Sequence, residues 1–111
     1  MIYRRPCLGY VVVGNNPRTH VYVNMKKRAC EEIGFEHIGA VLPEDASLED
    51  ILRRVKDLNE DERVSGILVQ MPLPTYMSPQ TVFDEIRVDK DVDGVNSFNV
   101  AGIICLSHYV E

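Results

Sequence analysis

Three short apolar runs, each closed by turn-forming residues and followed by a helical pattern, restrict this chain more than any other feature of its sequence. Leu8 to Val13 is rich in β-branched residues and stops at Gly14-Asn15-Asn16-Pro17, so it reads as a strand and a turn. Phe35 to Leu42 reads as a second strand, interrupted by Gly39. Gly66 to Val69 is a third, broken by Met71-Pro72-Leu73-Pro74, because proline cannot continue a central ladder.

The intervening segments carry helical signals. From Arg18 to Ile33, the apolar residues Val21, Met25, Ala29 and Ile33 recur at every fourth position and are expected to form the buried face, with Gly34 as the stop. Ser47 opens a second helix as its N-cap, Asp50 favours that start, and Leu48, Ile51, Leu52, Val55 and Leu58 make the inward stripe. Ser78-Pro79 starts a third, with Val82, Phe83 and Ile86 turned inward. Asp89 to Gly94 is a charged loop, and Val95 to Leu106 is apolar without a decisive period. Alternating strands and helices imply an α/β fold of βαβ units around a small, mostly parallel sheet. Ligands on such sheets gather at the carboxyl ends of the strands, here after Val13 and at Gln70.

Composition excludes several function classes. At 111 residues, with 45% hydrophobic and 26% charged positions, the chain suits one globular domain spanning 1–111 rather than a disordered segment. A net charge of −5 and the lack of a basic stripe argue against a nucleic-acid partner. The short cluster Lys26-Lys27-Arg28 is suited to attract a small anionic ligand, though Lys27 and Arg28 read more plainly as a solvated helix face. No apolar stretch is long enough for a membrane span. Cys7, Cys30 and Cys105 are odd in number and lack CxxC spacing, which implies reduced thiols and a cytoplasmic setting. The start of the chain shows no signal-peptide pattern. His20, His37 and His108 have no metal-ligand spacing, so no metal is expected.

Three places carry groups suited to chemistry. Tyr22 and Lys26 stand four apart on one helix face, where a ring can stack on a flat heterocycle and an ammonium can move a proton. The plainer reading is a surface lysine packed over a half-buried tyrosine. Gln70, between an apolar strand and a proline loop, either orients a ligand or satisfies the loop backbone. Asp89-Lys90-Asp91-Val92-Asp93-Gly94 begins like a calcium loop, but position twelve is Val100 rather than glutamate. It is then either a polar turn or a source of one carboxylate for a ligand with adjacent N–H donors. Gly14-Asn15-Asn16-Pro17 lacks the glycines of a dinucleotide fingerprint.

From about Pro6 to about Cys105, these segments together resemble the N-terminal domain of the methylenetetrahydrofolate dehydrogenase/cyclohydrolase family. The resemblance rests on Val13-Gly14-Asn15-Asn16-Pro17 with Thr19, Tyr22, Val23 and Lys26, on Gly66 through Pro74, and on Asp89 through Gly94. It implies an amino-acid-dehydrogenase-like N-terminal domain. It also implies oxidation of 5,10-methylenetetrahydrofolate by NADP or NAD, then hydrolysis of the methenyl form to 10-formyltetrahydrofolate. Lys26 and Gln70 become the catalytic residues; Tyr22, Val69, Met71 and Asp93 become the substrate-binding ones, with Asp91 supporting the loop. Thr19 stands where the family commonly has serine, and Met71 where it commonly has leucine.

The same resemblance implies that the nucleotide-binding Rossmann domain lies outside this chain, with the family's first and last helices. The chain alone is then expected to bind no NADP or NAD and to transfer no hydride. Expected partners are tetrahydrofolate derivatives, the Rossmann domain and, through uncovered apolar surface, a second copy in a homodimer. A non-catalytic interaction module retaining the fold is the alternative. A dehydrogenase of amino-acid or shikimate type shares the βαβ logic but does not explain the Gln70 and Asp93 loops together.

Overall fold

The computed structural model describes residues 5–101. Its elements are β1 (Cys7–Val13), α1 (Pro17–Glu32), β2 (Glu36–Leu42), α2 (Leu48–Glu60), β3 (Gly66–Val69) and α3 (Pro79–Glu85), followed by a 3₁₀ turn at Val88–Lys90. The strands form one parallel sheet in the order β2-β1-β3. β1 is the centre, with Cys7 opposite Glu36 on one side and Leu8 opposite Gly66 on the other. Residues 97–101 begin a further helical turn; Cys105 and His108 lie outside the described residues.

Strand alternation sorts side chains onto two faces. Cys7, Val11 and Val13 of β1 and Ile67 and Val69 of β3 meet Ile51, Val55, Leu58, Val82 and Ile86 in the larger core, so α2 and α3 share that face. Tyr10, Val12 and Leu68 face the other way and meet Val23 of α1. The second helix starts as expected, with Ser47 Oγ accepting from the Asp50 N–H at 3.1 Å, a cap worth about 1 kcal/mol. Its end is held by Lys90, whose Nζ donates to the Asn59 and Asp61 carbonyls at 2.8 and 3.1 Å.

The inward face of α1 is not the expected one. Val21, Met25 and Ile33 are 57%, 60% and 64% exposed, Ala29 is also exposed, and the buried residues are Thr19, Val23 and Cys30. A strict four-residue repeat advances about 40° beyond a full turn at each step, so it winds around the helix instead of following one side. The row facing the sheet runs Thr19, Val23, Lys26, Cys30, which averages near the helical period. A lysine thus occupies a position on the sheet side, its aliphatic stem covering apolar surface. Lys27 also departs from expectation. It is half-buried, with its ammonium 5.4 Å from the centre of the Tyr10 ring.

The interruption at Gly39 has a packing cause. Gly39 is the β2 partner of Tyr10, and a Cβ there would lie 2.3 Å from the Tyr10 ring. The missing side chain is the space the ring fills. Gly39→Ala should therefore destabilise the chain by about 1–3 kcal/mol, despite alanine's better fit to a strand. The cost should largely vanish in a Tyr10→Val background. Urea midpoints for the four members of that cycle test this, and equal cost in both backgrounds would refute it.

Candidate functional site

The end of β3 sets the first functional group. Val69 is buried on the face of α2 and α3, so alternation turns Gln70 toward α1. The Gln70 N–H still extends the ladder, donating to the Val11 carbonyl at 2.9 Å. Its side-chain oxygen accepts from Lys26 Nζ at 2.8 Å, and its Nε2 donates to the Met71 carbonyl at 3.2 Å. The amide thus satisfies the proline loop, as one reading expected, and also presents an oxygen to a lysine. That bond leaves two ammonium protons of Lys26 for other acceptors.

Lys26 is half-buried in a crevice between α1 and the sheet, beside Leu8, Tyr10, Val23 and Leu68. One turn earlier, Tyr22 is 56% exposed and offers a ring to solvent. Met71 is exposed beside Gln70. Val69 differs from its expected pocket-lining role, because its side chain is buried in the core and only its backbone reaches the strand end.

Asp93 is exposed in the loop that follows the 3₁₀ turn. Asp91 pairs in parallel with Ile67, which carries the chain along β3 toward the strand end bearing Gln70. Gly94 then turns with φ 66°, a conformation that other residues avoid. Asp91 supports the loop, as Oδ2 accepts from the Asn96 N–H at 2.8 Å and from Asn99 Nδ2 at 2.9 Å. Its Oδ1 is buried and has no partner among the described residues.

Several contributors were not anticipated. Asn96 caps the turn at 97–101, its Oδ1 accepting from the Phe98 N–H at 2.8 Å. An asparagine ahead of an apolar stretch was the available signal. Tyr76 gives its hydroxyl to the Ala46 carbonyl and lines a cleft of about 580 Å³ with Gly14, Asn15, Glu44, Pro72 and Thr75. A second hollow of about 630 Å³, lined by Lys56, Glu60, Glu62, Glu85 and Arg87, contains none of the expected site residues.

The polar groups of the β1–α1 turn are engaged within the turn and the start of α1. Asn16 Oδ1 takes the Arg18 N–H at 2.9 Å, Asn15 Oδ1 bonds His20 Nε2 at 2.8 Å, and Pro17 has no N–H to give. Among the described residues no group of three or more His, Cys, Asp or Glu is placed to hold a metal. No described helix is long and apolar enough to cross a membrane. Cys7 and Cys30 are free and buried, and burial pushes the Cys7 thiol up, away from nucleophilic use.

A sequence profile described as the tetrahydrofolate dehydrogenase/cyclohydrolase catalytic domain matches residues 2–93. The chain is 43% identical over 99 residues to the bifunctional protein FolD of Methanospirillum hungatei, covering 89% of this chain and 36% of that protein. Among solved structures it is similar to the bifunctional methylenetetrahydrofolate dehydrogenase/cyclohydrolase FolD of Campylobacter jejuni. There the TM-score is 0.86 and the identity 38%, over 88% of this chain and 35% of that one. The Trypanosoma brucei enzyme, solved with NADP and an inhibitor, gives a TM-score of 0.87 and 32% identity over 90% and 34% of the two chains. The chain thus spans about a third of the length of these relatives.

One acid near the loop gives a pH test. The Ser97 N–H, the Gln80 amide and the Ser97 hydroxyl hold the Asp84 carboxyl below the usual aspartate value of 3.8. A depressed value in the fold means this docking is complete above the ordinary pKa and lost as pH falls through the depressed one. The Ser97 amide resonance should titrate with a midpoint below 3.8. A midpoint at or above that value, or no titration at Ser97, would contradict the docking.

Proposed function

The chain belongs to the tetrahydrofolate dehydrogenase/cyclohydrolase family, and from that membership we propose that it is the folate-binding, lysine-bearing half of the bifunctional enzyme. The reaction pair is oxidation of 5,10-methylenetetrahydrofolate to the methenyl form, then hydrolysis of that form to 10-formyltetrahydrofolate. The observation that carries this reading is the 2.8 Å bond from Lys26 Nζ to Gln70 Oε1 at the carboxyl end of the sheet.

In the hydrolytic step, water adds to the methenyl carbon and releases one proton. The Lys26 ammonium then gives a proton to the ring nitrogen whose bond to that carbon breaks, and takes back the proton of the new hydroxyl as it becomes the formyl carbonyl. Gln70 fixes the aim of Nζ. Tyr22 supplies a stacking face, and Met71 shapes the edge of the site. Asp93 accepts from the two adjacent N–H donors of the amino-pyrimidine edge, which a carboxylate fork matches. In the oxidative step NADP or NAD takes the hydride. A cytoplasmic setting accords with free Cys7 and Cys30. The exposed Val21, Met25 and Ile33 favour association with another surface, such as a second copy.

Titration of the chain with a folate analogue, followed by heteronuclear NMR, should move resonances at Tyr22, Lys26, Gln70 and Asp93. A folded chain that shows no shifts at millimolar analogue would falsify a preformed folate site. In a fusion to the nucleotide-binding half of the Campylobacter jejuni relative, Lys26→Met should slow methenyl hydrolysis by about 10²–10⁴-fold. Unchanged hydrolysis would remove Lys26 from the mechanism.

A further inference from the structure

The geometry points to Asn96 and Asn99 as positioning residues that aim Asp93 by closing a clasp on Asp91, an inference that rests on the folate site proposed above. Asp93 is exposed, so its direction is set by the backbone on either side. Upstream, that backbone is tied to β3 through the Val92 N–H, which donates to the Ile67 carbonyl at 3.4 Å. Downstream, the chain reverses at Gly94 and returns to Asp91. There the Asn96 N–H and Asn99 Nδ2 both end on the same oxygen, Oδ2. The loop bearing Asp93 is therefore shut by one carboxylate that holds residues five and eight positions further on.

The asparagines are themselves anchored. Asn96 is buried, and its Nδ2 donates to the Ile86 carbonyl at 2.8 Å and the Asp84 carbonyl at 3.3 Å. Asn99 Nδ2 also reaches the Val88 carbonyl at 3.1 Å. The clasp thus references Asp93 to α3 and to the 3₁₀ turn as well as to β3. Its chemistry has a direction, because both groups reaching Asp91 are donors and only an acceptor can receive them. With Oδ1 buried and unpartnered, Asp91 offers the loop a single working oxygen. A second carboxylate brought against it would open the clasp through repulsion of like charges.

The test uses this chain, a folate analogue as probe, and two readouts: analogue affinity and the amide shifts of Val92, Asp93 and Gly94. Asn99→Asp should move those amides and weaken the analogue about tenfold, the loss expected when a bond to a charged acceptor goes. In an Asp93→Asn background Asn99→Asp should cost the analogue little further affinity, because the group it aims is already changed. A merely structural role for residue 99 predicts the same loss in both backgrounds. If Asn99→Asp does not fold, Asn99→Ala removes the donor without adding charge and should move the same amides. The clasp is overturned if the amides stay in place. It is overturned also if they move while affinity holds in a chain where Asp93→Asn weakens binding. If Asp93→Asn itself leaves affinity untouched, the assignment of Asp93 to the folate fails instead, and the amide shifts alone decide the clasp.

Discussion

Pairing of β1 along both edges fixes where everything else goes. Cys7 to Val13 has a parallel partner on each side, so the carboxyl ends of all three strands emerge on one rim. The chain leaves β1 at that rim and enters α1, and it leaves β3 there at Gln70. A contact between α1 and the residue after β3 then follows from topology, provided the helix turns the right side inward. It does so because Val23 packs on Tyr10, Val12 and Leu68, which sets the rotation that brings Lys26 over Gln70. The smaller of the two cores is thus the one that registers the site.

Much of the fold was legible because its signals are local. Strand runs ended at glycine and proline, and Ser47 and Ser78 marked helix starts that the structure keeps. Gln70 stood out for its neighbours in sequence alone. The inward side of α1 was misread because an obvious apolar repeat outweighed a row containing Thr19 and Lys26, residues that cover apolar surface without looking apolar. What could not be read were contacts between distant segments. The bond from the Cys7 N–H to Ser65 Oγ spans 58 positions, and the one from Lys26 Nζ to Gln70 Oε1 spans 44 and was implied only by the family resemblance. Neither residue type nor spacing announces a partner that far away. The Asp91 clasp lies between these cases, since its members are close in sequence but meet only because the loop reverses at Gly94.

The two sides of the sheet do different work. The side of α2 and α3 holds most of the large buried side chains, and stability should reside there. The side of α1 holds a few apolar groups and two half-buried lysines, one on an amide and one over a ring. Placing the polar machinery on the thinly packed side spares the larger core from having to accommodate a charge, which would need a partner at every step of folding.

The Tyr10 and Gly39 pair ties two strands together through a space rather than a bond. A ring at position 10 and a side chain at position 39 press on each other in this register, so the tip of the ring must shift if both are present. A change at either position is then felt at the other, and the glycine answers to its neighbour rather than to any demand of its own backbone.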